Sequence, residues 1–231
     1  MLKPRFVFAS TFGFAVIAVS FAAPVGCGGD DSAPVSSPSC TGDCVCTGAQ
    51  CTCKQGGTCT FGGASGAGGE AGVDGGAAPP DNATFSCESK NTCDSTCGTG
   101  CTTNCAGQST CEGSCESNCT STCNGTSECK LSTGTNSNVT CGGGSKCTVT
   151  LDTSSTLTCQ GNSTCNVECP KGGCTVDCSG STGCSLTCGS GGACTMVCNG
   201  GKKETCAAGS TCTSETTCGG GAPGGKDAGK P

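Results

Sequence analysis

Sulfur is the reactive element of this chain. Thirty-one of its 231 residues are Cys, and it contains no His, Tyr or Trp. Without His the commonest general base is absent, and Ser-His-Asp and Cys-His arrangements are excluded. Carboxylate pairs remain, but a catalytic pair needs a cleft that perturbs its pKa values. Apart from the adjacent Asp30 and Asp31, the 17 carboxylates are spread as singles. Glu112 and Glu116 are four apart, in a Gly/Ser/Thr-rich segment that will not be helical. The expectation is a protein that is not an enzyme and uses no cofactor.

Thiolates can also hold soft metals. Cys44-Val-Cys46 and Cys51-Thr-Cys53 are two CxC pairs flanked by Cys40 and Cys59. This cluster resembles those of metallothioneins over some twenty residues. The resemblance makes these six cysteines candidate Zn²⁺ ligands, since four thiolates complete a tetrahedral site. The opposing reading is three disulfides in a small knot. One Cys cannot serve both roles, and an oxidising compartment favours the disulfides. Neither an EF-hand loop nor a Gly-Gly-x-Gly-x-Asp repeat is present to bind calcium.

The N-terminus places the chain in such a compartment. Lys3 and Arg5 precede an apolar run from Phe6 to Ala23, which ends abruptly at Pro24 and the polar Gly28 to Asp31. That is the pattern of a secretory signal, although 18 residues could also just span a membrane. Val25-Gly26-Cys27 resembles the lipobox of bacterial lipoproteins. The resemblance implies cleavage before Cys27 and a diacylglyceryl group on its thiol. Pro24 stands where that family prefers Leu, and Ser20-Phe21-Ala22 offers an ordinary cleavage site. Parity points to the lipid: an odd Cys in an exported protein needs an explanation, and removing Cys27 leaves thirty. These fall as six in 40–59, ten in 87–129 and fourteen in 141–218.

After Cys27 the chain carries nine Lys, no Arg and all 17 carboxylates, a net charge near −8. Nucleic acid binding needs clustered Lys and Arg, so the partner expected is the membrane, through the anchor. The sequence names no protein or glycan partner.

Composition divides the chain into a signal (1–26), a lipidated Cys and spacer (27–39), a small Cys-rich module (40–60), a flexible Gly/Ala/Pro linker (61–86), a Cys-rich repeat domain (87–218) and a disordered tail (219–231). The repeat is read from its cysteines. Cys87, Cys93, Cys97, Cys101 and Cys105 are spaced x5, x3, x3, x3, and the pattern recurs through Cys111, Cys115, Cys119 and Cys123, with Cys129 beyond. The period is 18 residues, a solenoid signal. Cys141 and Cys147 lead into a shorter unit with Cys, apolar and Cys at positions 1, 3 and 5. Its copies are Cys165 to Cys169, Cys174 to Cys178, Cys184 to Cys188 and Cys194 to Cys198, with degenerate copies at 147–151 and ending at Cys159. Period 2 puts all three side chains on one face of a strand. Cys206, Cys212 and Cys218 close the domain.

The expected fold is all-β, a disulfide-stapled β-solenoid. Two short units make one coil, bringing Cys174 over Cys194 and Cys178 over Cys198. Rungs about 4.8 Å apart admit cystines between coils, which need Cα separations of roughly 4.4–6.8 Å. An antiparallel meander or irregular stapled loops fit the period as well. Between Cys87 and Cys129 there is no Val, Leu, Ile, Met or Phe. Without apolar burial only disulfides offset a backbone ordering cost of about 1–2 kcal/mol per residue in this half.

Thr211-Cys212-Thr213, followed by Cys218, resembles one repeat of the disulfide-stapled antifreeze solenoids of insects. That family repeats its unit every twelve residues to build a Thr array. Here the unit occurs once, and Glu215 stands at its Ser position. Asn-x-Ser/Thr sequons at Asn82, Asn118, Asn124, Asn138 and Asn162 would matter only in a eukaryotic secretory pathway. The expected role is structural or adhesive, at the surface of a bacterial envelope or secreted. The alternatives are a thiol-based metal or redox buffer and a released inhibitor or toxin.

Overall fold

The computed structural model describes residues 38–62 and 79–218. The signal, Cys27, the spacer up to residue 37, residues 63–78 and the tail lie outside them. The described residues form strands and turns, with one short 3-10 turn at Asn199–Gly201. Among them no helix is long and apolar enough to cross a membrane.

The chain winds as a parallel β-solenoid. Its strands are β1 (Ser39–Gly42), β2 (Cys44–Thr47), β3 (Gln50–Cys53) and β4 (Thr58–Gly62), then β5 (Thr84–Cys87) and β6 (Thr92–Thr99). Next come β7 (Thr102–Cys105) and β8 (Thr110–Ser117), β9 (Thr120–Cys123) and β10 (Glu128–Thr135), β11 (Asn138–Cys141) and β12 (Lys146–Leu151). The last are β13 (Thr156–Cys159) and β14 (Thr164–Cys169), β15 (Thr175–Asp177) and β16 (Gly183–Cys188), β17 (Cys194–Val197), β18 (Lys203–Cys206) and β19 (Thr211–Thr213). Even-numbered strands from β4 to β16 lie in sheet A, with β1 and β19 at its ends. Odd-numbered strands from β3 to β17 lie in sheet B, with β2 and β18 at its ends. The internal pairs are parallel, as in β6 with β8 and β7 with β9. This excludes the meander. Only the four end strands pair antiparallel.

The register repeats every 18 residues from Cys87 to Cys159, with Cys87, Cys105, Cys123, Cys141 and Cys159 stacked in one column. Cys174 lies over Cys194, beside the Thr175–Thr195 register. Along the parallel stack the cystines do not join one coil to the next, however. Twelve of the fifteen join consecutive strands of one coil across its corners, whereas Cys46–Cys51 links register partners of the β2–β3 hairpin. At the corner leading from sheet B to sheet A they are Cys53–Cys59, Cys87–Cys93, Cys105–Cys111, Cys123–Cys129, Cys141–Cys147, Cys159–Cys165, Cys178–Cys184 and Cys206–Cys212. At the opposite corner they are Cys97–Cys101, Cys115–Cys119, Cys169–Cys174 and Cys188–Cys194. The physical reason lies in side-chain direction. Neighbours in a parallel in-register column point the same way, about 4.8 Å apart. Cystines need Cβ atoms about 3.5–4.5 Å apart and aimed at each other. Across a corner the two cysteines face inward from different sheets, with Cα atoms 6.1 Å apart at Cys87–Cys93.

The expected boundaries of the small module also shift. β3 pairs parallel with β5, and β4 with β6. The 40–60 module is therefore the first coil of the same solenoid. Residues 79–86 do not belong to a linker, since they lead into β5 and bury Pro80, Ala83 and Phe85. From Cys53 to Cys87 the step is 34 residues, against 18 from Cys87 to Cys159 and 19 or 20 beyond it, an insertion at one corner.

A turn sequence recurs where sheet B leads to sheet A. Cys105-Ala-Gly-Gln-Ser-Thr-Cys111, Cys123-Asn-Gly-Thr-Ser-Glu-Cys129, Cys141-Gly-Gly-Gly-Ser-Lys-Cys147 and Cys159-Gln-Gly-Asn-Ser-Thr-Cys165 share Cys-x-Gly-x-Ser-x-Cys. Gly107, Gly125, Gly143 and Gly161 have φ between 62° and 78°, which only Gly adopts without cost. The buried Ser hydroxyls tie the turn and the rung below it. Ser163 donates to Gln160 O at 2.7 Å and to Cys141 O at 3.0 Å.

The core changes character along the axis. Stacked inward positions of sheet B read Phe85, Thr103, Ser121, Val139, Leu157, Val176 and Met196. Those of sheet A read Phe61, Ser95, Gly113, Leu131, Val149, Val167 and Leu186. The second and third coils thus have an interior of sulfur and small polar side chains. Aliphatic packing takes over beyond Leu131.

Candidate functional site

The thirty cysteines of the described residues form fifteen disulfides: the twelve at the corners, Cys40–Cys44, Cys46–Cys51 and Cys198–Cys218. The six candidate metal ligands are all in cystines: Cys40 with Cys44, Cys46 with Cys51, and Cys53 with Cys59. Close sulfur triples do occur elsewhere, as at Cys105, Cys111 and Cys129. Each of those atoms is also engaged in a cystine, so none is an available thiolate ligand.

The second corner has two gaps. Thr133 and Ser137, then Leu151 and Ser155, occupy the cystine positions of successive coils. A groove of roughly 280 Å3 opens there, lined by Thr133, Leu151, Asp152 and Lys171 among others. Thr133 Oγ1 is buried with no hydrogen-bond partner. Lys171 Nζ donates to Asp152 Oδ2 at 2.6 Å. That bond, followed by the Thr153 backbone N–H, holds the Asp152 carboxyl below its ordinary range.

The two outer faces differ in chemistry. Sheet A carries charge: Asp94, Glu112 and Lys130 stack in one column, Glu128 and Lys146 in the next, with Glu168 nearby. Glu112 and Glu116 both lie on β8 and are exposed. Glu112 faces Lys130 at 3.7 Å and Glu128 faces Lys146 at 3.9 Å, exposed pairs of the kind that contribute little.

Sheet B carries none over five coils. Its outward residues form two columns in straight register. One runs Thr84, Thr102, Thr120, Asn138, Thr156 and Thr175. The other runs Ser86, Asn104, Thr122, Thr140 and Thr158 before Asp177. Most of these side chains are half-buried, while Thr120 and Asn138 are exposed. Within a strand the two columns are two residues apart, about 7 Å, and along the axis the rungs repeat at about 4.8 Å. Thr χ1 is stiff because Cβ is branched, so the face is an ordered grid of hydroxyls, methyls and two amides. The 18-residue period already found in the cysteines, applied to Thr84, Thr102 and Thr120, finds the first column.

No protein family, curated protein or solved structure matches this chain. The solenoid offers cystine-fixed rigidity, one charged face and one neutral hydroxyl face. On the charged face Asp94, Glu112, Lys130 and Glu168 line an open depression of roughly 450 Å3, and in the groove at the gap Lys171 and Asp152 pair with each other.

Proposed function

We propose that this protein is an exported bacterial lipoprotein, anchored through Cys27, whose solenoid presents a polar face at the envelope surface in a structural or adhesive role and not a catalytic one. The observation that carries the reading is that the thirty cysteines of the described residues pair among themselves in fifteen disulfides, while the odd cysteine of the sequence, Cys27, is the one at the lipobox-like motif. Fifteen disulfides fit an oxidising compartment. A thiol buffer needs free thiolates, and the cystine pairing weighs against that alternative. Sheet B, with ten strands, extends about 43 Å along the stacking axis, enough to hold a face clear of a lipid headgroup layer.

The test is the intact mass of the protein purified from the envelope, before and after reduction with alkylation. The expected result is a diacylglyceryl mass at Cys27 and thirty alkylated cysteines only after reduction. Alkylation without reduction, concentrated at Cys40 to Cys59, would favour metal or redox chemistry. A chain released without lipid would favour the inhibitor or toxin alternative.

A further inference from the structure

We infer that Cys40–Cys44 is an exchangeable cystine, a site at which an external dithiol attacks the chain and transfers two electrons to it. The inference adds a thiol-exchange reaction to a structural frame. It depends neither on a lipid at Cys27 nor on an adhesive role.

Three observations single out this cystine. The first is exposure. Among the described residues the cysteines that are only partly buried are Cys40, Cys44, Cys46, Cys115 and Cys218, and the others are buried. Cys46, Cys115 and Cys218 are bonded to the buried Cys51, Cys119 and Cys198. Cys40 and Cys44 are bonded to each other. Exchange needs one sulfur open to the attacking thiolate and a second that leaves as a thiolate. A buried leaving sulfur would develop its charge away from water, which raises its pKa and slows its departure. Among the described cystines, only Cys40–Cys44 has both of its residues partly exposed. The second observation is place. β1 is the terminal strand of sheet A and β2 that of sheet B, so no described strand stacks over this cystine. An interior cystine such as Cys105–Cys111 has a coil on either side. The third is that the fold does not hang on this bond. β1 keeps its register partners on β4 and β2 keeps its own on β3. The loop closed is short, with a sequence separation of 4, so opening it frees little chain.

The reaction balances between the two partners. A thiolate of the dithiol attacks Sγ of Cys44, the Sγ–Sγ bond breaks, and Cys40 leaves as a thiolate that takes a proton from water. The second thiol of the dithiol loses its proton and attacks the mixed disulfide at the reductant's own sulfur, releasing Cys44. The cystine gains two electrons and two protons, and the dithiol becomes a disulfide. The chain is the electrophile, so it needs no free thiol of its own.

The oxidised protein is treated with dithiothreitol in a time course, quenched with N-ethylmaleimide, and read by intact mass and peptide mapping. The expected result is a first species blocked at Cys40 and Cys44, formed on the order of tenfold faster than any later one. Far-ultraviolet circular dichroism of that species should match the oxidised protein. Cys40→Ser with Cys44→Ser should remove the fast step, and Cys46→Ser with Cys51→Ser should retain it. Opening of all cystines together overturns the inference. So does a first species at Cys46 and Cys51, at Cys115 and Cys119, or at any other pair. Mapping of the wild type decides between these outcomes even where a variant fails to fold.

Discussion

Asp152 and Lys171 meet across successive coils at the gap in the second cystine column. Lys171 and the Thr153 amide favour the ionised carboxylate, so the folded pKa of Asp152 lies below the unfolded value of about 3.9. Its contribution to stability is therefore present above that value and lost as pH falls through the folded pKa. An NMR titration should place the Asp152 midpoint below about 3.9, and Lys171→Met should raise it toward that value. An unmoved midpoint would show that Lys171 is not the cause. Gly125 tests the turn at the same scale. Its φ is +77°, and an added Cβ would lie 2.9 Å from Gly107 N of the coil below. Gly125→Ala should cost about 2–4 kcal/mol, from left-handed strain and overlap together, read as a fall in the denaturant midpoint of the oxidised protein. An unchanged midpoint would mean that the stacked turns can shift apart freely.

Each corner cystine closes a loop of only four to six residues, so each contributes about 2 kcal/mol by chain entropy. Their number matters more than any one of them. The Thr133 and Ser137 positions correspond in register to Cys115 and Cys119. The double variant Thr133→Cys with Ser137→Cys should form a sixteenth disulfide and raise stability by about 2 kcal/mol, while removing the unpartnered Thr133 hydroxyl. Alkylation of two thiols without reduction would show that the corner does not close. These elements were partly legible in the sequence. The period of 18 and the inward Cys-apolar-Cys strands follow from side-chain alternation, and the structure has both. The direction of the cystines did not follow, because two stacked cysteines and two corner cysteines have similar Cα separations. Only the aim of Cβ separates them, and spacing along the chain does not encode it. The Cys40–Cys59 module looked independent because an insertion at one corner breaks the period, although a solenoid absorbs insertions there at small entropic cost. The Thr columns of sheet B were hidden because hydroxyl residues are frequent throughout the chain, so only the register picks out the stacked ones.

At the scale of the whole solenoid, two kinds of interior share one frame. Coils from Cys87 to Cys129 bury sulfur and small polar groups, whereas those beyond Leu131 bury Val, Leu and Met. Full reduction should therefore abolish amide-exchange protection in the first part and leave the second part partly protected. Equal loss in both would show that cystines dominate throughout. The ends pose a separate problem, because a parallel stack exposes unpaired strand edges that template further chains. Here each sheet ends in short antiparallel strands, β1 and β2 at one end and β18 and β19 at the other. A reversed strand interrupts the parallel register that a second solenoid would have to continue. Cys198–Cys218 ties the last of these strands down across twenty residues, the longest cystine loop in the described chain. Replacing both cysteines by Ser should free the segment after β17 and uncover the edges of β16 and β17. The expected outcome is concentration-dependent association in sedimentation velocity, while the wild type stays at one size. A variant that remains monomeric at high concentration would mean that the antiparallel pairing of β18 and β19 holds the cap without its cystine.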